Sequence, residues 1–431
     1  MLENTRTDTL ARVRLAEAAR QQNPTVVDVA KRLVSIPTMT PPGDTNAVAN
    51  ALVEILQETP GIEIEQFRTA DHVLNLVARV RGNAPGRRLV FNGHLDTFPL
   101  GDAEDWTASP WGEERDGRLY GVGISDMKGG VAAAVFALKM LAQNRQSFAG
   151  EVVGVFVGDE ETLGVLGTQF LLDNVPHARG DAMISGDIGS PQVLRFGEKG
   201  MVWLTVAAKG RASHAAHVHR GDSAIERIIR VIQDLADLRK LSPKMPPGVL
   251  AAIDEAAELS EKYSGHGETD VLKSVTVTFG TIRGGRLPNL VADRAEVTVD
   301  IRLPVGISVA EIQHQVHNAL AKHDQVSVQI NGVFEPTWTK PDHEIFQVVR
   351  QACKEILDID SAINMRIGAS DARLYRAAGI PSLVCGLTPH NLGAADEFVE
   401  TDELRSLGEI FTLSAFDFLS SSTASSCALQ S

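Results

Sequence analysis

The chain has few of the features that mark disulfide-stabilised or membrane proteins. It contains three cysteines in 431 residues, and they are far apart and odd in number: Cys353, Cys385 and Cys427. This excludes a disulfide framework and a thiolate metal cluster. The longest apolar run, residues 131–138, is too short to span a membrane. Residues 1–6 are charged and lack the apolar core of a signal peptide. We therefore expect a protein of the reducing cytoplasm with no membrane partner.

An excess of basic residues is also missing. The sequence has 41 basic and 55 acidic side chains, which gives a formal net charge of -14. This balance argues against nucleic acid or an anionic membrane as a partner. A surplus of carboxylates suits a protein that gathers cations, although most of these groups are expected to be solvated. With 43% hydrophobic and 22% charged residues, the composition is that of a globular protein.

Strand and helix patterns alternate through the first half of the chain. Apolar or alternating runs predict strands at residues 62–67, 74–80, 89–91, 152–157 and 182–184. Helical spacing is found at residues 26–33, 47–56, 130–141 and 163–172. This alternation predicts an α/β fold with a mostly parallel central sheet flanked by helices.

The pattern changes near residue 197. Alternating strands are predicted at 202–207, 275–282 and 295–302, together with a long helix at 224–238 and an irregular segment at 241–258. Strands with one exposed face and a helix predict a smaller inserted α+β domain. We divide the chain into a catalytic domain at 1–197, an inserted dimerisation or lid domain at 198–304, and a second catalytic part at 305–431. The low-complexity tail, residues 420–431, is predicted to be disordered.

The chain is organised around residues 89–96, an apolar strand that ends in His94 and Asp96. These two side chains are two residues apart, so in an extended segment they point to the same side. A ligand imidazole needs its second nitrogen held, and a carboxylate at this spacing can orient it. Taken alone, the pair is also what a polar loop after a strand would contain.

A second acidic group lies on a glycine-rich turn before a helix. Gly121 and Gly123 suggest a dinucleotide fingerprint, but Asp126 occupies the position of its third glycine and would repel a pyrophosphate. A strong strand immediately before the turn is missing as well. The alternative is that Asp126 is presented on this turn and is free to bridge two cations.

Other predicted strands also end in metal-ligating side chains. The strand at 152–157 is followed by Glu160 and Glu161, which can divide the roles of general base and metal ligand because neighbouring side chains point in different directions. Asp187 follows the next strand, and His390 follows the last. In open α/β sheets, ligands collect beyond the carboxyl ends of the strands. Each residue alone suits a solvated surface, but together they indicate a metal site.

The donor set favours a catalytic site over a structural one. Imidazole and carboxylate without thiolate suit zinc, manganese or cobalt and disfavour structural zinc. Five ligand groups are too many for one catalytic ion with an open position. They suit two divalent ions that share a bridging carboxylate, roughly 3.5–4 Å apart.

These motifs resemble a known family. They look like those of the dinuclear metallopeptidases that include aminoacylase, acetylornithine deacetylase, succinyl-diaminopimelate desuccinylase and glutamate carboxypeptidase. The resemblance rests on a set of motifs in this order: His94-x-Asp96, Gly123-x-x-Asp126-Met127-Lys128-Gly129-Gly130, Asp159-Glu160-Glu161, Asp187 and His390. It extends over residues 26–403.

The resemblance implies a role for each residue of the set. His94, Asp126 and Asp187 would bind one metal, and Asp126, Glu161 and His390 the other. Asp96 would orient His94. Glu160 would deprotonate the attacking water and then protonate the leaving nitrogen.

The family's smaller domain, usually its dimer interface, matches residues 200–302. The segment 212–217 resembles the one whose histidine reaches into the partner's active site and stabilises the oxyanion, and this role falls on His214. A homodimer is therefore expected. Three further residues match family segments near the substrate carboxylate: Asn289, Arg302 and Arg373. For Arg302 and Arg373, a structural role is the alternative.

Two departures concern the pocket. Many carboxypeptidase-like and deacylase members carry glutamate where this chain has Asp187, and aspartate there resembles the aminopeptidase and dipeptidase branches. The segment 391–395 after His390 is longer and more apolar than the usual short link to the next acidic residue. Neither departure removes a metal ligand.

The sequence thus predicts a hydrolase that cleaves an amide or peptide C–N bond in a small carboxylate-bearing molecule, such as an N-acyl amino acid or a dipeptide. One alternative is an aminohydrolase that releases ammonia from a non-peptide C–N bond, for example in an aminoaromatic acid. The other is a non-catalytic metal-binding protein on the same fold. An intact Glu160 argues against the latter, because a binding protein does not need a general base.

Overall fold

A computed structural model describes the backbone of residues 2–421 and the side chains of residues 9–421. The tail at residues 420–431 was predicted to be disordered. Residues 422–431 of this segment, which include Cys427, lie outside the described residues. The helices are α1 (Leu2–Gln22), α2 (Pro24–Val34), α3 (Asn46–Gln57), α4 (Gly129–Gln143), α5 (Phe170–Asn174), α6 (Ala224–Ala236), α7 (Pro247–Ser264), α8 (Glu268–Lys273), α9 (Val309–Leu320), α10 (Glu344–Leu357), α11 (Ala372–Ala377) and α12 (Thr401–Ser420).

The strands are β1 (Ile62–Ala70), β2 (Val73–Arg81), β3 (Arg88–His94), β4 (Trp111–Arg115), β5 (Arg118–Gly121), β6 (Glu151–Val157), β7 (Ala182–Ser185), β8 (Val193–Glu198), β9 (Gly200–Lys209), β10 (Thr276–Gly284), β11 (Arg294–Leu303), β12 (Val326–Phe334), β13 (Thr337–Trp338), β14 (Ala362–Arg366), β15 (Ser382–Val384) and β16 (Phe398–Glu400). Among residues 2–421, no helix is both long and apolar enough to cross a membrane.

The chain divides into two compact units. The first comprises the described residues up to Phe196, Thr339–Asn364, and the described residues from Ser370 onward. Its main sheet runs in the order β1-β2-β6-β3-β7-β15-β8. The four central strands, β6, β3, β7 and β15, are parallel to one another, whereas β2 and β8 pair antiparallel with the outer two of them. A separate three-stranded antiparallel sheet has the order β16-β5-β4. The predicted α/β class with a mostly parallel central sheet is confirmed.

Residues 89–91 of β3 are all apolar because both faces of the strand are covered. Val90 packs in a cluster with Leu171 of α5 and Tyr375 of α11. On the opposite face, Phe91 stacks on Phe411 of α12 with ring centroids 5.1 Å apart. Burial of such a side chain contributes roughly 1.5–3 kcal/mol. The strand is therefore held on two sides as it delivers His94 to the edge of the sheet.

The second unit comprises Gly197–Trp338 and Met365–Ala369. Its antiparallel sheet has the order β10-β11-β9-β12. Helices α6 and α9 cover one face and form an apolar core with its strands. This unit extends past the expected boundary at residue 304, because β12 pairs with β9 along Val326–Phe334 and α9 packs on the same core.

Two predicted segments differ from the structure. Residues 241–258 were expected to be irregular, but α7 begins at Pro247 and buries Val249, Ile253 and Ala256 along one face. Pro247 occupies the first turn of α7, where a helix needs no N–H donor, so the proline starts the helix. Residues 163–172 were expected to form one helix. Leu163 and Gly164 instead have left-handed φ angles of 82° and 68°, and the α-helix begins only at Phe170.

Candidate metal centre

Four parallel strands of the first unit end at the same edge of the sheet. β3 ends at His94, and β6 is followed by Glu160 and Glu161. Strand β7 precedes Asp187, and β15 precedes His390. Because parallel neighbours share a direction, their carboxyl ends and the polar residues beyond them fall on one side.

Three of the predicted ligands form a tight group. His94, Asp126 and Glu161 each offer one ligand atom, and these atoms all lie within 4.8 Å of one another. His94 Nε2 is 3.0 Å from Asp126 Oδ1, and His94 is only 1% exposed. Among the described side chains, Asp187 and His390 do not join this group at the same distance.

Asp187 and His390 have other surroundings. Asp187 is buried. The pKa of Glu160 and that of Glu161 are raised mainly by the burial of these two side chains, and the charge of Asp187 adds a smaller increase. The His390 ring stacks on Phe398 at 4.4 Å, with only 3° between the ring planes. The assignment of both residues as ligands stays a prediction.

Asp96 connects the end of β3 to the turn after β6. His94 Nδ1 lies 2.9 Å from the backbone oxygen of Asp96 and 3.6 Å from its carboxylate oxygen Oδ1. The Asp96 carboxylate accepts hydrogen bonds from the backbone N–H groups of Glu160, at 3.3 Å, and Glu161, at 3.0 Å. Asp96 therefore holds His94 through its main chain and the adjacent glutamates through its side chain.

The centre concentrates negative charge out of solvent. Burial, together with the charges of Asp126, Asp96 and Asp187, raises the pKa of Glu161 to about 8, although His94 acts in the opposite direction. Glu161 Oε1 is buried and has no hydrogen-bond partner among residues 9–421. Buried carboxylates without partners are costly unless a cation offsets them. The donor set of His94, Asp126 and Glu161 therefore fits a divalent metal ion.

Arg373 is buried beside Glu160. Its guanidinium donates hydrogen bonds to the backbone oxygens of Ser370, at 2.8 Å, and Leu163, at 2.7 Å. Nη1 also lies 3.9 Å from Glu160 Oε1. Arg373 is 4% exposed. The described contacts thus place it next to the predicted general base.

A buried polar chain leads to Arg373 and was not predicted from the sequence. Asn92 Nδ2 donates to Thr168 Oγ1 at 3.1 Å, and Thr168 Oγ1 donates to Asp371 Oδ2 at 2.6 Å. Asp371 Oδ1 lies 3.7 Å from Arg373 Nη1. Asn92 is two residues before His94 in the same strand, and this spacing was an available signal for a side chain directed to the same face.

In the second unit, the structure brings His214 and Asn289 onto neighbouring segments. Asn289 O accepts a hydrogen bond from Ala215 N at 2.9 Å, next to a bridge between His214 and Leu290. His214 Nδ1 accepts a hydrogen bond from Ala216 N at 3.2 Å. A neutral His214 ring with this acceptor carries its proton on Nε2, which is then a donor.

Arg302 has a partner within its own sheet. Its Nε and Nη2 atoms donate to the two carboxylate oxygens of Asp300 at 2.8 and 3.0 Å. The guanidinium also lies 6.0 Å from the ring centroid of Trp203. These contacts correspond to the structural alternative stated for Arg302.

Comparisons with known proteins agree with the sequence motifs. A family model described as peptidase family M20/M25/M40 matches residues 90–416. The succinyl-diaminopimelate desuccinylase of Paracoccus denitrificans (strain Pd 1222) is 28% identical over 403 residues, which cover 90% of this chain and 97% of that protein.

Solved structures of similar fold extend the comparison. The M20 family metallo-carboxypeptidase Sso-CP2 from Sulfolobus solfataricus superposes with a TM-score of 0.78 at 17% identity, covering 91% of this chain and 99% of that one. The YXEP protein of Bacillus subtilis, described as a dinuclear metal binding peptidase from the M20 family, gives 0.65 at 14% identity, covering 92% and 98%. The expected fold class and the resemblance seen in the motifs are confirmed.

Proposed function

As a member of peptidase family M20/M25/M40, the chain is a metal-dependent hydrolase of C–N bonds, and we propose that its substrate is an N-acylated amino acid. The relative from Paracoccus denitrificans is named for removal of a succinyl group from an amino acid. It aligns with nearly the full length of both chains, which favours an acyl amino acid over a longer peptide. A dipeptide with a free carboxylate has the same chemistry around the scissile bond and is the next substrate to test.

The observation that carries this proposal is the buried group of His94, Asp126 and Glu161 beside Glu160. We assign His94, Asp126 and Asp187 to one divalent ion, and Asp126, Glu161 and His390 to the other. When bound, two such ions supply an attacking water of lowered pKa and polarise the scissile carbonyl. Zinc, manganese and cobalt all suit this donor set.

Glu160 is the proton carrier in this proposal. Burial raises its pKa well above the usual value, and the carboxylates of Asp371, Asp187 and Glu161 add to this, whereas His94 opposes it. A carboxylate of raised pKa is a stronger base than a solvated glutamate. Glu160 would take a proton from the attacking water and give it to the leaving nitrogen. Arg373, 3.9 Å away, limits where the carboxylate can move.

The oxyanion requires a donor, and we assign this role to His214 Nε2. Its Nδ1 accepts the Ala216 N–H, so the neutral ring presents Nε2–H. We propose that His214 acts in the active site of a partner copy in a homodimer. The second unit offers a surface for such a dimer. Strand β10 is at the edge of its sheet, and the exposed apolar side chains of this unit include Val218, Ile229, Ile282 and Leu287.

The substrate carboxylate is assigned first to Asn289, which is exposed and lies beside His214. Arg302 and Arg373 are the other two candidates. Each already donates hydrogen bonds within its own unit, Arg302 to Asp300 and Arg373 to Ser370 and Leu163. A substrate carboxylate would have to replace or extend those contacts. Asn289 therefore ranks ahead of the two arginines.

The test combines one substitution with a substrate panel. Glu160→Ala should retain two metal ions per chain and lose turnover of N-succinyl and N-acetyl amino acids, with Glu258→Ala on the exposed face of α7 as the matched control. Turnover should release the free amino acid without ammonia. Ammonia from an aminoaromatic acid would support the aminohydrolase alternative. Retained turnover in Glu160→Ala would contradict the assigned base.

A further inference from the structure

Glu397 is a buried acid with no assigned role, and it is bonded to the turn that carries Asp126. It is 4% exposed. Its Oε1 accepts hydrogen bonds from Ser125 N at 2.9 Å and Ser125 Oγ at 2.6 Å, and Oε2 accepts one from Gly123 N at 3.1 Å. Its backbone oxygen accepts from Gly121 N at 2.9 Å. Four donors on the turn before Asp126 therefore converge on one residue.

The next residue, Phe398, is bonded to His390. The two rings stack with centroids 4.4 Å apart and planes 3° from parallel. Phe398 N donates to His390 O at 3.2 Å, so the main chains are also joined. Phe398 begins β16 and pairs with Tyr120 of β5, which leads into the Asp126 turn. One dipeptide thus contacts both the turn of Asp126 and the ring of His390.

The segment between His390 and Glu397 does not fix the positions of Glu397 and Phe398 by its own packing. Residues 391–394 are exposed, so the path from His390 to Glu397 has little packing of its own. Asp396 anchors the end of the segment, because its carboxylate accepts from Thr107 N at 2.8 Å, Thr107 Oγ1 at 2.6 Å and Ala108 N at 3.0 Å. This anchor sets the position of Glu397 and Phe398 despite the long link noted in the sequence.

We propose that Glu397 and Phe398 are positioning residues for two different metal ligands, Asp126 and His390, and this rests on the ligand assignment proposed above. Glu397 fixes the main chain that presents Asp126, which is assigned to both ions. Phe398 fixes the ring plane of His390, which is assigned to one ion. Loss of Glu397 therefore weakens both metal sites, and loss of the Phe398 ring weakens one.

The substitution Glu397→Gln keeps size and removes charge. Its amide NH₂ must replace either Oε1 or Oε2, so it faces the N–H donors of Ser125 or of Gly123. Both metal dissociation constants should rise, by about 10–100-fold, the usual cost of removing an outer partner of a metal ligand. Phe398→Leu should raise one constant by roughly 10-fold and leave the other unchanged. Phe398→Tyr retains the stacked ring and should restore the wild-type value.

The full chain is first stripped of metal with a chelator. Calorimetry then measures the stepwise binding of Zn²⁺ and gives the two dissociation constants. The number of ions bound per chain is counted in the reloaded protein. Glu400→Gln is the matched control. Glu400 lies on β16 together with Phe398, and its carboxylate pairs with Arg118. Unchanged constants for both Glu397→Gln and Phe398→Leu would overturn the inference. If Glu397→Gln does not fold, Ser125→Ala removes one of its hydrogen bonds and should raise both constants about threefold to tenfold.

Two ligand variants separate this inference from the proposed function. Asp126→Ala should impair both sites and His390→Ala only one. If both variants keep two tightly bound ions, the ligand assignment itself is wrong. If they lose ions as expected while the Glu397 and Phe398 variants bind like the wild type, only the positioning role fails.

Discussion

Thr168 donates a 2.6 Å hydrogen bond to Asp371, and both side chains are inaccessible or nearly so. Thr168→Val removes the donor and leaves the carboxylate short of a partner. The free energy of unfolding should fall by about 1–3 kcal/mol. Because Asp371 lies beside Arg373, and Arg373 beside Glu160, kcat should fall roughly tenfold or more with little change in KM. Urea unfolding and steady-state kinetics measure the two effects.

The control for this substitution is Thr412→Val, which removes another buried hydroxyl, one that donates to Gly408 O within α12. It should leave kcat unchanged. Equal losses of kcat in both variants would mean that the Thr168 effect comes from general destabilisation and not from the chain of contacts to Glu160.

Arg373 offers a choice between two roles that kinetics can separate. If it restrains Glu160, Arg373→Lys should lower kcat and leave KM within about twofold, because the effect falls on the chemical step. If it binds the substrate carboxylate, the loss of a bidentate partner should raise KM by tenfold or more. The Glu160 contact at 3.9 Å favours the first result. A large rise in KM without a fall in kcat would indicate that Arg373 binds the substrate carboxylate.

Lys199 should make stability depend on pH. Burial lowers its pKa to about 7, an effect that Arg302 increases and Asp300 opposes. Between pH 7 and about 10.5 the unfolded chain binds more protons than the folded chain at this residue, so the stability contribution of Lys199 becomes more favourable as pH rises. Its slope should approach about 1.4 kcal/mol per pH unit within that window.

This is measured as the difference in unfolding free energy between the wild type and Lys199→Met at pH 7.5, 8.5 and 9.5. The difference should move in favour of the wild type as pH increases. Lys209→Met, at an exposed position on β9, is the control for the loss of a lysine side chain. A flat profile for Lys199→Met would show that the buried amine keeps an ordinary proton affinity.

The proposed dimer can be tested by activity shared between chains. Equal amounts of His214→Ala and Glu160→Ala chains, after subunit exchange, should form half mixed dimers, each with one complete site, and regain about a quarter of wild-type activity. Leu287→Asp should dissociate the dimer in analytical ultracentrifugation, whereas Leu392→Asp, an exposed apolar residue of the first unit, should not. No regained activity after verified exchange would contradict a shared site.

The strand-end pattern was readable from the sequence because burial on both faces leaves a continuous apolar run, and the polar residue that ends it is conspicuous. Residues 89–91 illustrate this, since the apolar run lies within β3, and the strand then ends at His94. The direction of the parallel strands then follows from the alternation with helices. The order of strands, with β3 between β6 and β7, depends on long-range pairing that no local pattern contains.

The contacts around the candidate site were less accessible to sequence reasoning. Glu397 bonds to a turn more than 270 positions earlier, and Arg373 bonds to Leu163. Such pairs leave no periodic signal. The difference at α7 has a local cause, because Pro247 stands in the first turn of the helix, where a proline is compatible with helical structure.

Strands β3 and β6 pair in register with His94 opposite Val157. Each residue of a parallel strand advances about 3.3 Å, so a slip of one residue would move His94 along the sheet by nearly a full metal–metal separation of about 3.5–4 Å and turn it to the other face. The packing of apolar side chains such as Val90 and Val153 helps to fix the register of these strands. It therefore also helps to set the distance between the proposed ligands that follow different strands. We therefore expect that substitutions deep in this core change the spacing of the proposed metal ligands without replacing any of them.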